Sequence, residues 1–173
     1  MLIASILNIV LLSVIVFQDI KTRTINWLLF PALAALFILK GVSTKPVNEY
    51  LTECLLNIAF VVTQLLVLFG YYYSRKNSAK HFINSAIGLG DIAFLFVITL
   101  AFSNLYFIAF YLIGLILSLL LWLIIRPFVT EKETIPLAGL LAAFMILIFL
   151  FELVHGHFEI LNNYSLIGMI NGL

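Results

Sequence analysis

The sequence predicts an all-α fold, a polytopic membrane bundle of about six transmembrane helices. Composition comes first: 64% of the 173 residues are hydrophobic and 10% are charged. A water-facing domain of this length cannot hide so much apolar surface, whereas lipid can face it. Length comes second: apolar stretches recur near the roughly 20 residues a helix needs to cross a hydrocarbon layer about 30 Å thick. Third, polar and charged breaks separate these stretches, and no repeat of about 20–50 residues divides them into units. Residues 1–173 therefore read as a single membrane-embedded domain.

The spans follow in order. Residues 2–18 have the apolar core of a signal peptide, but no basic residue precedes them and no small-residue cleavage site follows. They read as a retained span with the N-terminus outside. The next spans are expected at about 26–42, 50–73, 87–103, 105–125 and 135–153. The second and fourth are short, and Ser103-Asn104 is a thin signal for a hairpin, so five spans with one broken helix remain an open alternative. Residues 154–173 mix apolar and polar positions and read as an interfacial tail.

Charge sets the orientation. With the N-terminus outside, the inner loops hold Lys21, Arg23, Arg75, Lys76, Lys80, Arg126 and Lys132, and the outer loops hold Lys40 and Lys45. That bias obeys the positive-inside rule and needs an even number of spans. It also puts Asp19, at the end of the first span, on the same side as Asp91, at the start of the fourth.

Other features exclude function classes. The net charge of +1 comes from scattered residues and gives no nucleic-acid footprint. Cys54 is the single cysteine, so no disulfide within the chain and no cysteine zinc site is expected. His155 and His157, flanked by Glu152 and Glu159, match no standard ligand spacing and read as part of the tail. No metal or cofactor is expected.

Helical geometry predicts inward faces. Asn8 lies about 20° and Ser5 about 40° from Asp19 around an ideal helix, and Glu53, Asn57 and Gln64 fall within about 40° of one another. Such stripes face a bundle interior, mostly for interhelical hydrogen bonding. Gly114 and Ser118, like Gly139 and Ala143, have the small-xxx-small spacing of close helix contacts.

Each aspartate alone has an ordinary explanation. Asp19 precedes the polar run "IKTRTIN" and suits loop amides, or a pairing with Lys21 or Arg23. Asp91 follows Gly88-Leu89-Gly90, and an aspartate at a helix N-terminus satisfies free amides after ordinary turn glycines. Together they suggest chemistry. Two carboxylates a few ångströms apart cannot both ionise easily and tend to share a proton. The ionised member can take a proton from water while the protonated one polarises a peptide carbonyl. Gly88 and Gly90 leave room for a substrate backbone to approach.

These residues carry a family resemblance. "DIKTRTINWLLFP", residues 19–31, resembles the first aspartate motif of the type IV prepilin peptidases, and "GLGD", residues 88–91, resembles their second, Gly-x-Gly-Asp. "TIPLAGLLAAF", residues 134–144, is similar to a later segment of that family containing proline and glycine. The similarity runs in span order from first to sixth. Ile25-Asn26 lacks the intervening proline of the family, and Ala93 stands where many members carry lysine. Presenilins and signal peptide peptidases share Gly-x-Gly-Asp, but this sequence lacks their Tyr-Asp motif.

The resemblance implies an aspartyl endopeptidase of a prokaryotic inner membrane. Its catalytic pair would be Asp19 and Asp91, with Gly88 and Gly90 shaping the substrate groove. Lys21 and Arg23 would set orientation and meet lipid phosphates, and Asn26 would fix the turn after Asp19. The implied substrate is a prepilin-like protein whose basic leader is cut at the cytoplasmic face, serving a pilus or secretion system. Larger members also methylate through a region with paired Cys-x-x-Cys motifs; with one cysteine, proteolysis alone is expected here. Two other readings compete: a transporter coupled to a proton or cation, and a non-enzymatic assembly protein. The sequence does not speak to oligomeric state.

Overall fold

A computed structural model describes residues 2–76, 88–125 and 136–154. Among them are six helices and no strand: α1 (Leu2–Thr22), α2 (Leu29–Thr44), α3 (Val47–Lys76), α4 (Leu89–Ile98), α5 (Asn104–Ile125) and α6 (Leu137–Val154). Four, α1, α3, α5 and α6, are long and apolar enough to cross a membrane, and α2 and α4 are shorter apolar helices. The chain is thus an α-helical membrane protein. Lys80, Arg126, Lys132 and the tail with His155, His157 and Glu159 lie outside the described residues, as do the side chains of Arg75 and Lys76.

Five helices close a ring in the order α1, α2, α3, α5, α6, and α4 packs inside it against α2, α3 and α6. The most extensive contact joins α1 to α6. Its face on α1 is legible in the sequence: Ser5, Asn8, Leu12, Ile15 and Asp19, at steps of three and four residues, are all buried. Lipid is as apolar as leucine, so close packing and small residues hold such helices together. Gly114 shows this on α5, where a Cβ would lie 2.7 Å from Leu141 Cδ2 of α6.

The fourth span departs from the continuous helix expected over 87–103. Its helix stops at Ile98, and the chain turns through Thr99–Ser103 with Leu100 N–H on Val97 O and Ala101 N–H on Ile98 O, both 3.1 Å. Helix α3 takes the freed carbonyls. Asn57 Nδ2 donates to Thr99 O (3.1 Å) and Phe102 O (3.0 Å), and Tyr50 Oη donates to Leu100 O (3.0 Å). Irregular backbone is tolerated at membrane depth because protein, not lipid, covers it. Of the polar stripe expected on α3, Glu53 and Asn57 are buried, but Gln64 is exposed.

Among the described residues, the end of the bundle away from Asp19 carries two close ion pairs. Lys40 of α2 meets Glu152 of α6 with both carboxylate oxygens, at 2.6 and 2.7 Å, and Lys45 meets Glu53 of α3 at 2.6 Å. Both lysines are mostly buried. Lys40 ties α2 to α6, and Lys45, at the C-cap of α2, ties it to α3, where an unpaired charge would be costly.

Candidate active site

The opposite end gathers three separate stretches of chain. Helix α1 runs past residue 18 through Asp19 to Thr22, because nothing in Ile20-Lys21-Thr22 breaks it and Thr22 Oγ1 donates to Gln18 O (2.8 Å). Arg23 ends it. Its φ of 55° is left-handed, as at many helix C-termini, and its N–H still reaches Asp19 O at 3.2 Å. The Arg23 guanidinium lies over the Trp122 ring of α5, 5.2 Å from its centroid.

The turn to α2 is then held from both sides. Gln18 Oε1 accepts the Asn26 N–H at 2.8 Å, and Asn26 Oδ1 accepts the Leu28 N–H at 3.1 Å. The second bond is an Asx turn, which supplies a turn without the proline seen in the resembling motif. Lys21 points elsewhere and lies over the Phe17 ring.

Asp91 occupies the first turn of α4, whose N-cap is Gly88. At this third helical position its carboxylate reaches back to the Gly88 amide, as an acid does in a capping box. The ordinary helix-start reading of Asp91 is therefore part of the arrangement, but not all of it. Its Oδ1 also accepts the N–H of Ala138, at 2.8 Å, from the first turn of α6. The next amide of α6, Gly139 N–H, donates to Asp19 Oδ2 at 2.6 Å. Two consecutive amides at one helix N-terminus thus bind two carboxylates that are remote in sequence.

The geometry bounds their separation. Two hydrogen bonds and one residue of backbone lie between the accepting oxygens, which are therefore at most about 9 Å apart. Each aspartate is within electrostatic reach of Arg23, and Asp91 is within reach of Asp19. The α6 N-terminus has free N–H groups and the positive end of its dipole to offer, which favours two acids together where repulsion alone would part them. Asp19 is 7% exposed, whereas Asp91 is half-buried and Gly88 exposed, so the pair opens on the α4 side.

Gly139 makes the arrangement possible. A Cβ there would sit 2.9 Å from Asp19 Oδ2 and 3.1 Å from Asp19 Cβ. The sequence reading placed Gly139 in a helix-contact pair with Ala143 and in the third stretch of resemblance, and gave it no part in the site. Its signal was that stretch, Pro136 to Gly139, whose proline needs no amide partner just before a helix. The other two glycines face more ordinary neighbours. A Cβ on Gly90 would be 3.4 Å from Ile25 Cδ1, and one on Gly88 would be 3.2 Å from Asp91 Oδ2.

Among the described residues, no group of three or more His, Cys, Asp or Glu side chains is placed to hold a metal ion. Comparison with family models, curated proteins and solved structures finds no match for this chain.

Proposed function

We propose that this protein is a membrane aspartyl endopeptidase of the prepilin peptidase type, which removes the short basic leader of prepilin-like proteins. The observation that carries the reading is the pair of carboxylates held side by side on the consecutive amides of Ala138 and Gly139. An acid pair held this close suits hydrolysis by a shared proton. The ionised carboxylate takes a proton from a water lodged between the two, and the water oxygen attacks the scissile carbonyl carbon. The protonated carboxylate hydrogen-bonds the carbonyl oxygen as it gains charge. The tetrahedral intermediate then collapses, the C–N bond breaks, and the leaving nitrogen takes up a proton from the pair.

The resemblance of residues 19–31 and 88–91 to the two aspartate motifs supports the same reading. Charge adds the side: with basic residues inside, the N-terminus is outside and the site faces the cytoplasm of a prokaryotic cell, where a leader would be met. In this scheme Gly88 and Gly90 leave the substrate backbone its approach, Asn26 holds the turn beside Asp19, and Lys21 meets lipid phosphates, whereas Arg23, over the Trp122 ring, lends its positive charge to the carboxylate pair. No metal or cofactor has a step.

The test is cleavage of a prepilin-type substrate by purified protein in detergent, with the product mass determined. Asp19→Asn and Asp91→Asn should each abolish cleavage while remaining inserted and folded. Cleavage retained by either variant would refute the dyad. A wild-type protein that cuts no such substrate but moves a proton or cation would favour transport.

A further inference from the structure

Helices α5 and α6 touch closely at Gly114 and Leu141, and beyond that contact a groove of about 480 Å³ opens between them. Its walls have a regular pattern. On α5 they are Tyr106, Phe110, Ile113, Gly114 and Leu117, and on α6 Phe144, Leu147, Ile148 and Phe151. Both sets recur at steps of three and four residues, the spacing of a helix face meant to pack on another helix. Yet Ile113 and Leu147 are 57% and 61% exposed, so among the described residues no third helix completes the seam.

The position of this groove relative to the aspartates matters as much as its shape. Both use α6. Phe144 lies five residues beyond Gly139, a rise of about 7.5 Å, and from there the groove runs away from the carboxylates. An extended chain covers that rise in two or three residues, and because the groove face of α6 lies about 140° around the helix from Gly139, a few more carry it past the end of α6 to the carboxylates. A substrate helix seated between α5 and α6 would therefore present, just before its first turn, a peptide bond at the height of Asp19 and Asp91.

We infer that the α5–α6 groove seats the apolar helix of the substrate, fixing the distance from that helix to the bond that is cut. This rests on the peptidase reading above. The occupant is a helix rather than a lipid chain because two stripes at helical spacing match the ridges of a third helix. An acyl chain needs no such register. The small residue Ala109 in the lining lets a third backbone come close.

The experiment compares a prepilin-type substrate carrying its helix with a peptide holding only the leader and the scissile bond. Wild type should prefer the helix-bearing substrate, and Leu147→Trp, which fills the groove, should reduce that preference in kcat/KM by about tenfold or more, through KM. Leu119→Trp, exposed on α5 about 120° around the helix from Ile113 and outside the groove, should leave the preference unchanged. As a second measurement, a photoreactive residue placed at Ile113 in otherwise wild-type protein should cross-link to the substrate helix. Undiminished preference in a folded Leu147→Trp, or cross-links to lipid alone with substrate bound, would overturn the groove assignment while cleavage persists. Absence of cleavage by wild type would overturn the peptidase reading itself.

Discussion

Gly139→Ala tests the site through one carbon atom. The added Cβ would lie 2.9 Å from Asp19 Oδ2, closer than such atoms approach in folded proteins, and 3.1 Å from Asp19 Cβ, tighter than most such contacts. The Asp19 side chain cannot give way without lengthening the 2.6 Å bond from the Gly139 amide. A hydrogen bond to a charged group contributes about 1.5–3 kcal/mol, and alanine in a helix recovers up to about 1 kcal/mol over glycine. Net stability should therefore fall by about 0.5–3 kcal/mol. Activity should fall as well, because displacing a reacting group by about 1 Å costs roughly a hundredfold in rate. The assay is kcat for prepilin-type cleavage in detergent, beside the thermal midpoint of the same preparation. Gly70→Ala is the control, since a Cβ there meets nothing within 4 Å. A folded Gly139→Ala variant cutting at the wild-type rate would refute the idea that the α6 amide sets the position of Asp19.

Three other outcomes follow from the packing. Asn57→Leu removes the donors to Thr99 O and Phe102 O and should destabilise the bundle by about 2 kcal/mol, read from a denaturation midpoint in detergent; an unchanged midpoint would mean that other groups hold the turn. Lys40→Met leaves Glu152 unpaired in a mostly buried position and should cost about 3 kcal/mol, whereas Lys40→Met with Glu152→Met should regain most of it. A double variant no better than the single one would contradict a coupled pair. Asn26→Ala loses the Asx turn but keeps the bond from its backbone amide to Gln18, so cleavage should fall by about tenfold or less, and a complete loss would show a larger role for this side chain.

How far the sequence could be read depended on the range of the interaction. Local periodicity sufficed for the membrane class and for the buried face of α1, since Ser5, Asn8 and Asp19 share one side of a single helix. The two aspartates could be brought to one end because span counting and loop charge depend on the whole chain at once. What joins them could not be read. The amides of Ala138 and Gly139 are backbone groups, invisible in residue identity, and they come from the last helix described. The same limit hid the ion pairs: Lys40 and Lys45 counted only as loop charges, and Glu152 as part of a polar tail, because their partners lie on other helices. The break in α4 was half legible. Ser103-Asn104 marked its far end, but Thr99 looks like any span residue, and only Asn57 and Tyr50 of α3 explain why the backbone can turn there.

Chains emerge from the ribosome N-terminal end first, so α1 and α4 enter the bilayer before α6 exists. Until that helix arrives, neither acid has the amide assigned to it, and the pair cannot take up its final spacing. Maturation of the site is thus tied to completion of the sixth helix, and a nascent chain halted earlier would carry both acids in a membrane without the part that unites them.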